Sequence, residues 1–239
     1  MAKQSGVLSG LFVVQECFRQ LDPTVRFEPV FAEGAPFAAG TVLAKVAGPA
    51  ASLLTAERVA LNFLQRLCGT ATLTRAFVDK VSGTHARIVD TRKTTPGLRF
   101  LEKAAVRAGG GRNHRFALYD GILLKDNHLA AVGGLTVAVA AARAGAPHTL
   151  KIEVEVTDLQ QLEEAIAAGA EVVLLDNMSL AMLKQAVALA GGRVLLEASG
   201  GVTLDTVFAI AQTGVDLISV GALTHSASAI DISLELGPA

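Results

Sequence analysis

What most constrains this chain is a rhythm. From residue 86 onward, apolar runs at 86–89, 122–124, 152–156, 172–175, 194–196 and 217–220 alternate with helical patterns at 98–108, 133–144, 158–168, 179–190 and 203–213. The runs are rich in Val, Ile and Leu, as strands buried on both faces are. From 152 on they recur every 20 to 25 residues, a pace that indicates parallel βα units. Such alternation fits an open doubly wound sheet or a closed barrel. Polar residues help to decide. Asp90 to Lys93, Lys125 to His128, Glu155, Asp176 with Asn177, Ser199 to Gly201, and Gly221 each follow the end of one run. An open sheet concentrates its ligand groups at one switch point, whereas in a barrel the C-terminal strand ends share one mouth. Six chemically capable ends favour an α/β barrel. No Gly-x-Gly-x-x-Gly opens a helix after the first run, which weakens a Rossmann reading.

Residues 1–69 read differently. Short strands with glycine turns are expected at 6–11 and 37–46, and 9–21 could start a helix. A long helical pattern from 53 to 79 is carried by Leu54, Val59, Leu61, Leu64, Leu67 and Leu73, with Gly69 as a kink or break. The expected domains are therefore 1–69, joined by 226–239, and a barrel over 70–225.

Of the 239 residues, 51% are apolar, enough for a sizeable core, and the net charge of −1 gives no overall bias toward polyanions. The charge is uneven, however. Eight Lys or Arg lie between Arg87 and Arg115, against Asp90 and Glu102. That block suits a concentrated anionic ligand. Phe100 and Phe116 are its only aromatic residues, too few to suggest nucleic acid. Cys17 and Cys68 form neither a metal pattern nor a disulfide framework, which points to a reduced, intracellular setting. The opening apolar stretch breaks at Gln15, Glu16 and Arg19 and makes a poor signal peptide. No run reaches the roughly 20 residues that span a bilayer.

Two loops carry phosphate chemistry. Ser199-Gly200-Gly201 and Val220-Gly221-Ala222 each follow a strand and precede a helical segment. Glycine lets backbone N–H groups approach an anion there, and the last two βα loops of barrels often do this; the bland alternative is a pair of tight turns. In the basic block, Arg92, Lys93, His114 and Arg115 stand outside the best helical stretch, while Lys103 and Arg107 have the spacing of a solvated helix face. Arginine suits planar recognition of carboxylates. Glu153 and Glu155, two apart on a strand, share a face, with Glu155 nearer the mouth and Glu153 deeper or ion-paired. Asp176 either binds ribose or caps a helix. No histidine pair has zinc spacing; His85 and His148 look peripheral, and His225 could donate to phosphate.

Together these stretches resemble the quinolinate phosphoribosyltransferase family. The resemblance rests on Ala56-Glu-Arg-Val-Ala-Leu-Asn-Phe-Leu, Asp90-Thr-Arg-Lys-Thr-Thr-Pro-Gly-Leu-Arg, Gly109-Gly-Gly-Arg-Asn-His-Arg, Leu124-Lys-Asp-Asn-His, Glu153-Val-Glu-Val, Leu175-Asp-Asn-Met, Glu197-Ala-Ser-Gly-Gly and Val220-Gly-Ala-Leu-Thr-His-Ser. They run in family order along nearly the whole chain. The resemblance implies an N-terminal open α/β sandwich and an incomplete, seven-stranded α/β barrel resembling a TIM barrel. It also implies a cytoplasmic homodimer in which Arg58 enters the neighbouring active site. Arg58, Thr91, Arg92, His114 and Arg115 would hold quinolinate. Lys93 and Lys125 would lie between the substrates. Glu155 and Asp176 would face the ribose and Mg2+ carried by the pyrophosphate of 5-phosphoribosyl-1-pyrophosphate. Ser199, Gly200, Gly201, Val220, Gly221, Ala222 and His225 would surround the 5-phosphate.

Two features depart from the pattern. The family carries a further segment before the strand at Gly6, and Ala104 stands where tyrosine is common. The rival readings are a molybdenum-transport-associated relative of the same fold, a nicotinate phosphoribosyltransferase, which needs one carboxylate clamp, and a non-catalytic binding protein. Arg58 and Lys125-Asp-Asn-His favour the quinolinate enzyme over the first. Intact Lys93, Lys125, Glu155 and Asp176 speak against the last.

Overall fold

The computed structural model describes residues 1–237. In chain order the elements are β1 (Gly6–Val7), α1 (Leu11–Leu21), β2 (Arg26–Pro29), β3 (Pro36–Phe37), β4 (Ala44–Ala47), α2 (Ala50–Lys80), β5 (Arg87–Val89), α3 (Arg99–Ala108), β6 (Ile122–Leu124), α4 (Asp126–Val132), α5 (Leu135–Gly145), β7 (Ile152–Val156), α6 (Leu159–Ala167), β8 (Val172–Asp176), α7 (Leu180–Ala190), β9 (Leu195–Ser199), α8 (Val207–Ala211), β10 (Leu217–Ser219) and α9 (Ala222–His225). Contacts divide the chain into two compact units. The first holds 1–76, 93–112 and 221–239, and the second 77–92 and 113–220.

The second unit is built on one six-stranded sheet of order β5-β10-β9-β8-β7-β6. All its pairings are parallel. The order decides the architecture. A doubly wound sheet reverses direction at a switch point; here the strands descend without reversal from β10 to β6, and the first strand pairs with the last. That order fits an α/β barrel better than a doubly wound sheet. Among the described residues the parallel sheet has six strands. β7 and β8 are buried on both faces, as their Val-rich runs require. Caps set the helix starts. Asp158 accepts from Gln161 N at 2.8 Å, and Ser179 from Met182 N at 3.3 Å, each satisfying an amide that the first turn leaves open.

In the first unit, β1 pairs with β3 and β2 with β4, both antiparallel. Its main core joins Leu8, Leu11, Val14 and Phe18 to Leu53, Leu61 and Leu64, and to Ile232 near the far end of the chain. Strand β2 has no counterpart in the sequence reading, because Arg26-Phe-Glu-Pro lacks an apolar run. The expected strand at 37–46 is two pieces, β3 and β4.

Helix α2 runs unbroken through Gly69. The glycine is there for close approach rather than for a kink: a Cβ at 69 would lie 2.0 Å from the carbonyl oxygen of Ser228. Lys103, expected on a solvated face with Arg107, is 3% exposed, while Arg107 is exposed. The expected helix at 203–213 shortens to α8. Both cysteines are free. Burial first of all pushes the Cys68 thiol up to about 12. Among the described residues no single helix is long and apolar enough to cross a membrane.

Candidate active site

In the second unit, the sequence-predicted residues gather at the C-terminal ends of the parallel strands. Lys125 follows β6, Glu155 lies near the end of β7, Asp176 ends β8 and Ser199 ends β9. Parallel register makes this unavoidable. Glu155 is paired with Leu174, and Asp176 with Ser199, so the ends advance together from strand to strand.

Lys125 Nζ and Glu155 Oε2 form an ion pair. His128 serves the same strand end structurally, since its Nδ1 accepts from Lys125 N at 3.0 Å and closes the first turn of α4. Asp176 does not cap α7, a task that falls to Ser179. Its Oδ2 instead accepts from Asn177 Nδ2 at 2.9 Å, leaving this carboxylate at the strand end.

The loop after β9 is shaped by its neighbour. Asn177 has φ 54°, and its backbone N–H donates to the carbonyl oxygen of Ser199 at 2.9 Å. A Cβ on Gly200 would lie 2.1 Å from Asn177 Oδ1, and φ there is +99°. Only glycine meets both demands. Gly201 is also left-handed, with φ 58°. Successive backbone N–H groups in such a turn can form an anion-binding concavity. The expected help from a helix N-terminus is small, because α8 begins only at Val207.

Arg92 follows the end of β5, and Arg115 lies on the segment that leads into β6. Arg115 Nη1 donates to the carbonyl oxygen of Gly121 at 3.0 Å, which fixes one side of the guanidinium. Burial, and then the nearby charge of Arg92, pull its pKa below the usual value. Two cations that press on one another in a partly desolvated place favour an anion between them.

Beneath lies a buried acidic group. His114 Nε2 is 2.9 Å from Glu153 Oε2 and 3.7 Å from Glu197 Oε2. Asp90 accepts from His114 N at 2.9 Å and from Asn113 Nδ2 at 2.6 Å. Burial disfavours the imidazolium, but the Glu153 hydrogen bond and the Glu197 and Glu153 charges outweigh that, so the His114 pKa is raised. Burial, and then the Glu153 charge, push Glu197 up to about 7. One oxygen of each glutamate is buried without a hydrogen-bond partner. The three side chains lie close enough to hold a cation. The ring disfavours that use. His114 Nδ1 accepts from Arg115 N at 2.7 Å, so Nε2 carries the hydrogen and offers a cation no lone pair.

The first unit carries Arg58, Lys93, Gly221, Ala222 and His225. Gly221, His225 and Lys93 come together there: a Cβ on Gly221 would meet His225 Nε2 at 3.0 Å and Lys93 Cδ at 3.5 Å. His225 Nδ1 lies 2.6 Å from Ser226 Oγ. Ala222 opens α9 in the same unit, whereas Val220, which is buried, and Thr91, which is partly buried, belong to the second. Arg58 is exposed on α2.

Residues 1–68 match the family model described as quinolinate phosphoribosyl transferase, N-terminal domain, and residues 70–235 match its C-terminal domain. The chain belongs to the quinolinate phosphoribosyl transferase family. It is similar to the probable nicotinate-nucleotide pyrophosphorylase [carboxylating] of Bacillus subtilis, at 48% identity over 236 residues, covering 99% of this chain and 82% of that protein. Among solved structures, NadC from Streptococcus pyogenes superposes with a TM-score of 0.92 at 48% identity, covering 96% of this chain and 81% of that one. The nicotinate-nucleotide pyrophosphorylase from Francisella tularensis gives 0.94 at 42% identity, covering 97% and 82%.

For this family member, sequence reasoning gave no role to Glu197, Arg66, Glu102 or Thr224. Glu102 had a signal, since Ala105 and Val106 at i+3 and i+4 place it on the apolar stripe of α3. Arg66 and Thr224 had none.

Proposed function

We propose that this chain transfers the phosphoribosyl group of 5-phosphoribosyl-1-pyrophosphate to the ring nitrogen of quinolinate. Decarboxylation follows, and the products are nicotinate mononucleotide, pyrophosphate and carbon dioxide. The observation that carries the reading is the array at the strand ends. The Lys125–Glu155 ion pair, Asp176 and the left-handed Ser199–Gly201 loop follow one another at the C-terminal ends of neighbouring parallel strands.

Each part suits one demand of the reaction. Arg92, Arg115 and His114, with Thr91 and Arg58, would orient a dicarboxylate so that its nitrogen faces the sugar. Positive charge grows on the ribose as pyrophosphate leaves, and Glu155 and Asp176 would stabilise it. Lys93 and Lys125 would meet the negative charge shared by the two substrates. The backbone at Ser199, Gly200, Gly201, Val220, Gly221 and Ala222, with His225, would hold the 5-phosphate. Asp176 and Glu155 are hard oxygen donors on neighbouring strands, which fits Mg2+ held chiefly by substrate pyrophosphate. Bound there, Mg2+ would neutralise the leaving group.

The test is product formation by the purified chain from quinolinate, 5-phosphoribosyl-1-pyrophosphate and Mg2+, with nicotinate as a parallel acceptor. Nicotinate mononucleotide from quinolinate alone is the expected result. Product from nicotinate, or from neither acceptor, overturns the reading. The same reading places the enzyme in the cytoplasm as a homodimer in which Arg58 serves the neighbouring subunit.

A further inference from the structure

The first unit contains a buried ion pair with a peculiar set of partners. Glu102 on α3 is fully buried, and Arg66 on α2 is about two-thirds buried, its side chain 32% exposed. Arg66 Nη2 donates to Glu102 Oε1 at 2.7 Å, to Thr95 Oγ1 at 2.8 Å and to the carbonyl oxygen of Thr224 at 2.8 Å. Arg66 Nε adds a second bond to Glu102 Oε1 at 3.1 Å. The other carboxylate oxygen, Oε2, accepts from Thr95 N at 3.0 Å. Thr224 completes the ring, because its Oγ1 donates to the carbonyl oxygen of Lys93 at 2.7 Å.

A pair so placed gains little stability on balance. Desolvating two charges offsets much of their attraction, and an apolar pair of similar volume often does as well. The location of its partners is more informative. Every bond that leaves the pair ends on one of two short segments, the one that carries Lys93 and the turn formed by Gly221, Ala222 and His225. The segment is gripped at the Lys93 carbonyl and again at Thr95. The turn is gripped at both the carbonyl and the hydroxyl of Thr224, whose hydroxyl also reaches the Gly221 carbonyl oxygen at 3.2 Å. A planar guanidinium can hold several acceptors in fixed directions, which a lysine ammonium on a flexible stem does not reproduce.

We infer that Arg66 and Glu102, acting through Thr95 and Thr224, are positioning residues that set the Lys93 backbone and the 221–225 turn in one fixed relation for binding the phosphoribosyl donor. The inference rests on the proposed reading of Gly221 and His225 as donor-binding groups and of Lys93 as a group between the two substrates. It requires no contact between the pair and the substrate. Misplacing a binding group by about an ångström can cost on the order of a hundredfold in rate; because the 221–225 turn serves the donor alone and quinolinate is held chiefly by Arg58, Thr91, Arg92, His114 and Arg115, the larger effect falls on the donor.

Three variants test it. Glu102→Gln keeps the shape but removes the charge. Arg66→Lys keeps the charge but removes the fork. Thr224→Val removes the hydroxyl that bonds the Lys93 carbonyl oxygen. For each, the Michaelis constants of both substrates, kcat, the melting temperature and calorimetric binding of 5-phosphoribosyl-1-pyrophosphate with Mg2+ are measured. Donor affinity is expected to fall about tenfold in Glu102→Gln and Arg66→Lys, and by a smaller factor in Thr224→Val, with quinolinate KM within about twofold. Combining Glu102→Gln with Thr224→Val should cost less than the two separate losses together, because one network is cut twice.

Variants that melt earlier yet bind the donor as the wild type does, with unchanged kcat, overturn the inference and reduce the pair to a structural role. A wild-type chain that neither binds the donor nor makes product overturns the functional reading first, and this inference with it.

Discussion

The two compact units solve the problem of making a stable layer in opposite ways. The second unit repeats one local motif. From β6 to β10 each strand leads through one or two helices to the next strand of the same parallel sheet, so its chemistry falls at the strand ends by construction. The first unit has no repeat. Its sheets have two strands each, and its closure depends on remote partners: Met1 donates to the carbonyl oxygen of Ser233 at 2.6 Å, and Ala2 bridges Ile232. One unit places its functional groups by periodicity. The other places them by long-range bonds such as the Arg66–Glu102 pair.

The contrast can be broken most severely at Lys125, in the repetitive unit. Lys125→Ala should cut product formation by about a thousandfold, because it removes a fixed cation from a site of developing charge, while the far-ultraviolet circular dichroism stays native. Mixing this variant with Arg58→Ala adds a test of assembly. If Arg58 serves the neighbour, hybrid dimers contain one intact site, and about a quarter of wild-type activity should return. No recovery would confine Arg58 to its own subunit.

Next in size is a pair of glycine substitutions, one in each unit. Gly69→Ala places a Cβ against the fixed backbone of Ser228 and should destabilise the fold by about 1–3 kcal/mol or more, read as a lower denaturant midpoint. Gly200→Ala meets Asn177 and also a left-handed φ. It should raise the donor KM about tenfold or more, since the loop itself must move. Gly145→Ala is the control, with open space around its Cβ, and should change neither measure. If Gly200→Ala affected stability alone, the β9 loop would be a turn and not a phosphate site.

A further effect, confined to one pH window, concerns Glu197. Its folded pKa, about 7, lies above the usual 4.5. The folded chain therefore retains a proton that the unfolded chain gives up between those values. This contribution to stability is whole below pH 4.5, declines as pH rises and is lost above about pH 7. Glu197→Gln, which mimics the protonated form, should flatten the decline in that window, measured by denaturant titration at a series of pH values. An unchanged slope would assign the proton elsewhere in the cluster.

How far the chain could be read differs between the units for the same reason. Every strand of the parallel sheet was legible, because a strand buried on both faces must be written as an apolar run. Lys125, Glu155, Asp176 and Ser199 were legible with it, since each follows such a run. β2 was not, because Arg26-Phe-Glu-Pro is a half-exposed strand whose partner is β4. Lys103 was misplaced because charge predicts exposure only until another element covers it. Gly69 was misread because a glycine that breaks a helix and one that admits a neighbouring backbone look alike in sequence.

By itself, then, the sequence determined the βα order, the apolar faces and the residue types at the strand ends, since all three follow from local periodicity and the cost of burying polar groups. Tertiary structure decided the strand order, the burial of Glu153 and Glu197 beneath His114, and the joining of Arg66, Glu102, Thr95 and Thr224. Those are relations between residues up to 158 positions apart, and no local pattern encodes which distant partner will satisfy a buried charge.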